Sequence, residues 1–144
     1  MRLQGVVFDF EDTLLDGAGQ PRPGVERFLS LMKMEDVWMY LVTDTDRAVA
    51  QKALDSSDLA RYFRGMIVSS EHGTVITDPE LYDKAVRRLR TARQATVVFT
   101  ARDSVLRAVT GAGFQAVLIQ SNPSQESRAL AAEVISDYQT MTQQ

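Results

Sequence analysis

The chain contains no cysteine in its 144 residues, which excludes a disulfide framework and any thiolate metal site. Histidine is almost as scarce. His72 is the sole example, in a loop ahead of Asp78, and reads as a surface residue rather than a ligand or base. Lysine occurs only at positions 33, 52 and 84, each inside a predicted helix. With no Lys/Arg run and a net charge of −3, a nucleic-acid surface is not expected. No apolar run approaches the roughly 20 residues needed to span a membrane, and the opening residues lack a basic-then-apolar leader pattern. The expectation is a cytoplasmic protein without membrane contact. Internal repeats, low-complexity tracts and linkers are also missing, so residues 1–144 are expected to form one domain, long enough to bury a proper core.

What is present alternates. Gly5-Val6-Val7-Phe8-Asp9 reads as a short buried strand ending on a carboxylate. A turn-rich loop with Gly17, Gly19, Pro21 and Pro23 follows, then a helix with Val25, Phe28, Leu29 and Met32 on one face. Val37 to Thr43 is a second strand, too uniformly apolar to be half exposed. Val49, Ala53 and Leu54 mark a second helix, and Met66-Ile67-Val68 a third strand. Asp78-Pro79 opens a helix whose inner face is Leu81, Ala85, Val86 and Leu89. Ala95 to Thr100 is a fourth strand, Val105 to Ala112 a helix stopped by Gly113, and Phe114 to Ile119 a fifth strand. A last helix is predicted to carry Leu130, Val134, Ile135 and Tyr138 on one stripe.

Such alternation implies a doubly wound, Rossmann-like α/β domain, with parallel strands, right-handed crossovers and helices on both faces. Its core is predicted to include Val6, Val7, Phe8, Leu41, Val42, Val97, Val98, Phe99, Val117 and Leu118. Ligands of such sheets sit outside the carboxyl ends of the strands. Asp9 ends the first strand, with Glu11 and Asp12 directly after it.

The stretch Asp9-Phe10-Glu11-Asp12-Thr13-Leu14 resembles the first signature of the haloacid dehalogenase superfamily, Asp-x-Asp-Gly-Thr-Leu after a hydrophobic strand. Glu11 stands at the second Asp and Asp12 at the usual Gly. The likeness runs from Gly5 to about Ile119 and is nearest the phosphoglycolate phosphatase and β-phosphoglucomutase type. Arg22-Pro23-Gly24-Val25 looks like the segment leading to the second signature. Thr43 matches that signature's phosphoryl-binding residue. Ile76-Thr77-Asp78-Pro79-Glu80-Leu81-Tyr82 aligns with the third, Lys-Pro-Asp-Pro-Glu-x-Tyr, and places Ile76 at the lysine. At the fourth, where one or two Asp hold Mg²⁺, the strand register puts Ala101-Arg102 on the acidic positions; Asp103-Ser104 matches only after a one-residue shift.

The resemblance implies a five-stranded parallel sheet in order 5-4-1-2-3. The cap usual between the first two signatures is missing, since the residues from Thr13 to Thr43 are all needed for a loop, a helix and a strand. A two-component receiver domain, also five-stranded with early acids, would need Asp and Lys where Ser69 and Gln120 stand.

Two functions follow from the resemblance. In one, the chain is a cap-less, Mg²⁺-dependent phosphohydrolase acting on a phosphorylated ligand through an aspartyl-phosphate on Asp9. Glu11 is then the acid/base, Thr43 holds the phosphoryl group, Arg102 replaces the lysine's charge, and Asp9, Glu11 and Asp103 hold the metal. In the other, preferred on the missing lysine and acids, the chain is a pseudoenzyme: the phosphatase fold kept for binding a protein partner or for self-association, with no cofactor. Crowded carboxylates at the strand ends should repel one another, with Arg102 the cation placed to relieve them.

Overall fold

The computed structural model describes residues 2–142. Strands β1 (Gly5–Asp9), β2 (Trp38–Thr43), β3 (Met66–Val68), β4 (Thr96–Thr100), β5 (Gln115–Ile119) and β6 (Glu133–Ile135) form one sheet in the order β3-β2-β1-β4-β5-β6. Every neighbouring pair is parallel. The connecting helices are α1 (Val25–Met34), α2 (Arg47–Ser56), α3 (Pro79–Leu89) and α4 (Asp103–Gly111). Two short helices, α5 (Gln125–Leu130) and α6 (Gln139–Thr142), flank β6.

The central strand explains the layering. Successive residues of a strand point to opposite faces, so β1 sends Val6 and Phe8 into one core and Val7 into the other. The first core adds Val25, Phe28 and Leu29 of α1 and Ala50 and Leu54 of α2. Phe8, Phe28, Phe99 and Tyr138 interlock there, with ring centroids 5.2–6.2 Å apart. The second core takes Leu81, Tyr82, Ala85 and Val86 of α3 with Val105, Leu106 and Val109 of α4. α3 begins as its sequence requires: Pro79 sits at the first turn, and the Asp78 carboxylate accepts from the Glu80 N–H at 3.0 Å.

Three expectations need correction. The sheet has six strands, because the predicted last helix ends at Leu130. Ala131 is extended, and Glu133, Val134 and Ile135 pair with Val117, Leu118 and Ile119. Val134, Ile135 and Tyr138 have a helical spacing, but an edge strand and a following turn bury Ile135 and Tyr138 and half-bury Val134. Val97 is only partly buried, on the first core's margin. Val49 is 59% exposed, leaving Ala50 and Leu54 to anchor α2.

Between β1 and α1 lies a loop closed by an antiparallel bridge from Leu15 to Pro21, with no inserted cap. No helix among the described residues is long and apolar enough to cross a membrane.

Candidate functional site

The parallel order puts the carboxyl ends of β1, β2 and β4 side by side, so three loops converge above Asp9. Asp9 has no solvent-exposed surface. An uncompensated buried carboxylate would cost several kcal/mol or take up a proton, and the chain satisfies it from β4. Thr100 Oγ1 donates to Asp9 Oδ2 at 2.7 Å. Arg102 donates from Nε to Oδ2 at 3.0 Å and from Nη2 to Oδ1 at 2.5 Å, a two-pronged clamp.

The same guanidinium turns its other edge to Asp44, just past β2. Nη1 donates to Oδ2 at 3.0 Å and Nη2 to Oδ1 at 3.2 Å. Arg102 therefore bridges the loops after β1, β2 and β4 with one planar group. Its side chain is a quarter exposed, against 0% for Asp9 and 38% for Asp44.

Burial pushes the Asp9 carboxyl above its ordinary value, against the pull of Arg102 and Thr100. Burial works against the Arg102 charge too, but its hydrogen bonds to Asp9 and Asp44 win and push its pKa up. Burial, then Asp44, pushes Glu11 up as well. Arg102 thus lies between Asp9 and Asp44 and opposes their repulsion by direct pairing, a pairing that Glu11 lacks.

The other candidates divide. Glu11 Oε1 accepts a hydrogen bond from Thr45 Oγ1, a partner the sequence reading missed. Thr43 is buried, and its hydroxyl oxygen accepts from the Thr45 N–H at 2.9 Å rather than reaching Asp9. Asp103 is not brought to the mouth. It opens α4 and accepts from Ser127 Oγ of α5 at 2.5 Å, which holds its carboxyl below the usual range. Thr100 was passed over as a site residue, since a hydroxyl one strand away carries no spacing signal of its own; Asp44 was expected as one of the crowded carboxylates, but not as the second partner of Arg102.

Ile76, at the lysine position, lies in the second core, and its carbonyl accepts from the buried Tyr82 hydroxyl at 3.0 Å. Lys84 does not replace the missing cation. Its Nζ lies 3.1 Å from His72 Nδ1 on the exposed side of α3.

Asp12 departs from the family's glycine at a position where glycine has a reason. Its φ is +56°, the left-handed region that Asp tolerates better than most residues. The turn is tied by Arg22, whose Nε donates to the Asp12 carbonyl at 2.6 Å. Tyr138 completes it from the far end of the chain, donating its hydroxyl to the Thr13 carbonyl at 2.8 Å.

The Mg²⁺ that the resemblance implies finds no matching donor set. Both Asp9 oxygens are taken by Arg102, Asp103 points to Ser127, and no group of three or more His, Asp or Glu among the described residues gathers around one cation position.

A parallel α/β sheet whose central strand ends on a buried aspartate, with a threonine ending the second strand beside it, is the frame of the haloacid dehalogenase-like hydrolases. The sequence model of that family matches residues 18–100, and the chain belongs to it. It is 30% identical over 95 residues to the phosphorylated carbohydrates phosphatase of Thermotoga maritima, covering 66% of this chain and 44% of that relative. The chain thus spans less than half the length of the curated protein it resembles.

Solved structures share the fold. One described as a dehalogenase superposes with a TM-score of 0.84 at 16% identity, covering 96% of this chain and 95% of that one. The HAD-hydrolase YfnB of Bacillus subtilis, solved bound to magnesium, gives a TM-score of 0.84 at 13% identity, covering 98% and 97%. The haloacid dehalogenase-like protein SP0104 of Streptococcus pneumoniae gives 0.77 at 12%, covering 92% and 93%.

Proposed function

We propose that the chain is a pseudoenzyme, a haloacid dehalogenase fold kept as a binding or assembly module with little or no phosphohydrolase activity. The observation that carries this reading is the Arg102 clamp on Asp9. A nucleophile must present a lone pair to phosphorus from an open direction, and here three hydrogen bonds fill most of the acceptor sites of a carboxylate with no exposed surface, under an arginine that cannot be deprotonated. Phosphoryl transfer also needs stabilisation of the transferring oxygens. The lysine position is apolar, and Arg102 is committed to two carboxylates. Losing one such stabilising donor commonly costs about a hundred- to a thousandfold in rate.

The alternative, a cap-less phosphohydrolase, is supported by the survival of Asp9, Thr13 and Thr43 and by the phosphatase among the relatives. It requires Arg102 to leave Asp9 when substrate and metal arrive. An aryl phosphate assay with Mg²⁺ decides between them. The expected result is no turnover above that of the Asp9→Asn variant. Turnover on the order of 1 s⁻¹ or faster, abolished by Asp9→Asn, would establish the enzyme instead.

A further inference from the structure

Beside the clamp, the same end of the sheet holds an open cavity of about 640 Å³, between the loop after β1 and the loops after β4, β5 and β6. It lies at the point where the strand order reverses, between β1 and β4, which in open α/β sheets is where ligands bind. Its size falls within the roughly 300–1,000 Å³ of small-molecule sites.

The polar lining is Asp12, Arg22, Gln120, Ser121, Asn122 and Ser136. Four of these are planar groups able to make paired hydrogen bonds, and two are hydroxyls that both donate and accept. Little of that capacity is used inside the protein. Arg22 donates through Nε to the Asp12 carbonyl, and its two terminal nitrogens have no partner among the described residues. Gln120 donates its amide to the Ala101 carbonyl at 3.0 Å. The side chains of Ser121, Asn122 and Ser136 make no hydrogen bond among the described residues, and Ala101 and Ile119 add an apolar patch.

Charge narrows the ligand further. Asp12 and Arg22 balance within the lining, but the adjoining mouth adds the accessible Glu11 and Asp44 against Arg102, whose charge also serves the buried Asp9. Across this rim three accessible carboxylates face two guanidiniums, one of them already shared with Asp9, so a doubly charged phosphate ester is disfavoured. A neutral molecule with several hydroxyls matches both the mixed donors and acceptors and the apolar patch.

We propose that this cavity binds a neutral polyol of the monosaccharide class. The proposal rests on the binding-module reading and gives that module a ligand; the polyol is held, not transformed.

The test is saturation-transfer NMR and calorimetric titration of the full chain with glucose, ribose, their terminal phosphate esters and inorganic phosphate. EDTA is present, so hydrolysis contributes nothing. The expected result is binding of a neutral sugar with Kd on the order of 1 mM. Asn122→Ala and Ser136→Ala, both at exposed positions, should each weaken it about threefold or more, the loss of one ordinary hydrogen bond, with unchanged thermal melts.

Three results overturn the proposal: no binding of any neutral sugar, tighter binding of the phosphate esters or inorganic phosphate, or sugar binding indifferent to both variants. A chain that binds sugar in EDTA and also hydrolyses phosphate esters with Mg²⁺ would refute the pseudoenzyme reading while leaving the cavity's ligand in place.

Discussion

Arg102→Ala tests the reasoning about the mouth most directly. The substitution removes two of the three hydrogen bonds to the Asp9 carboxylate and leaves only Thr100 Oγ1 at 2.7 Å. Stranding one member of a buried ion pair costs about 3–5 kcal/mol. The lower end applies, since the departing side chain is 25% exposed and water can enter its place. The Asp44 arm is more exposed and adds at most a fraction of a kcal/mol. The expected loss is therefore about 3 kcal/mol at neutral pH, or roughly 10 °C in Tm for a chain of this size. It should also depend on pH. Without Arg102, burial acts on the Asp9 carboxyl with less opposition and raises it further. The native state then holds a proton that the unfolded chain releases, so the variant's stability falls as pH rises above the ordinary carboxylate range. Urea melts of both proteins from about pH 5 to about pH 8 should show a deficit that grows with pH. A loss below about 1 kcal/mol, flat across that range, would refute the clamp as the support of Asp9.

Other outcomes are as definite. Asp9→Asn should destabilise by about 1–3 kcal/mol, because its amide turns donors toward the donors of Arg102 or Thr100; an unchanged urea midpoint would contradict this. Arg102→Asp should open a cation site with Asp9 and Asp44. Mg²⁺ at ten times its Kd should then raise that variant's stability by about 1.4 kcal/mol, while an equal rise in wild type would overturn the account. Glu11 is held above its ordinary 4.5, so it stabilises below that value and the contribution is lost as pH rises through the folded pKa. The stability of wild type relative to Glu11→Gln should therefore decline with pH, and parallel curves would contradict the assignment. Tyr138→Phe leaves the Thr13 carbonyl without its partner and should cost about 1 kcal/mol in a thermal melt.

Much of this architecture was legible because apolar runs at the right lengths leave few alternatives. β1, β2, β4 and β5 are buried on both faces and read as continuous hydrophobic stretches. β6 was not legible. Three residues at a sheet edge carry too little pattern, and their spacing also suits a helix.

At the site, the missing lysine was visible as Ile76, but its consequence, an apolar wall with Tyr82 packed beneath, needed coordinates. Sequence and structure also predict opposite signs for Asp9→Asn. As one acid in a crowd, its neutralisation reads as neutral or stabilising. As the partner of a two-pronged guanidinium, it is the charge the site is built around. The direction in which Arg102 points is a matter of rotamer and register, and residue order does not encode it locally.

The bond from Tyr138 to Thr13 has a consequence for how the chain comes into being. The two residues are separated by 125 positions, so at roughly 5–20 residues per second Tyr138 follows Thr13 off the ribosome by about 6–25 s. Through that interval the turn carrying Asp9, Glu11 and Asp12 lacks its closing hydroxyl. Phe28 and Phe99 likewise lack the ring they pack on. β1 must also wait for β4 before its second edge is covered. The acidic loop is therefore made first and locked last, and a nascent chain halted before Tyr138 presents it unfastened to whatever chaperone or protease is near.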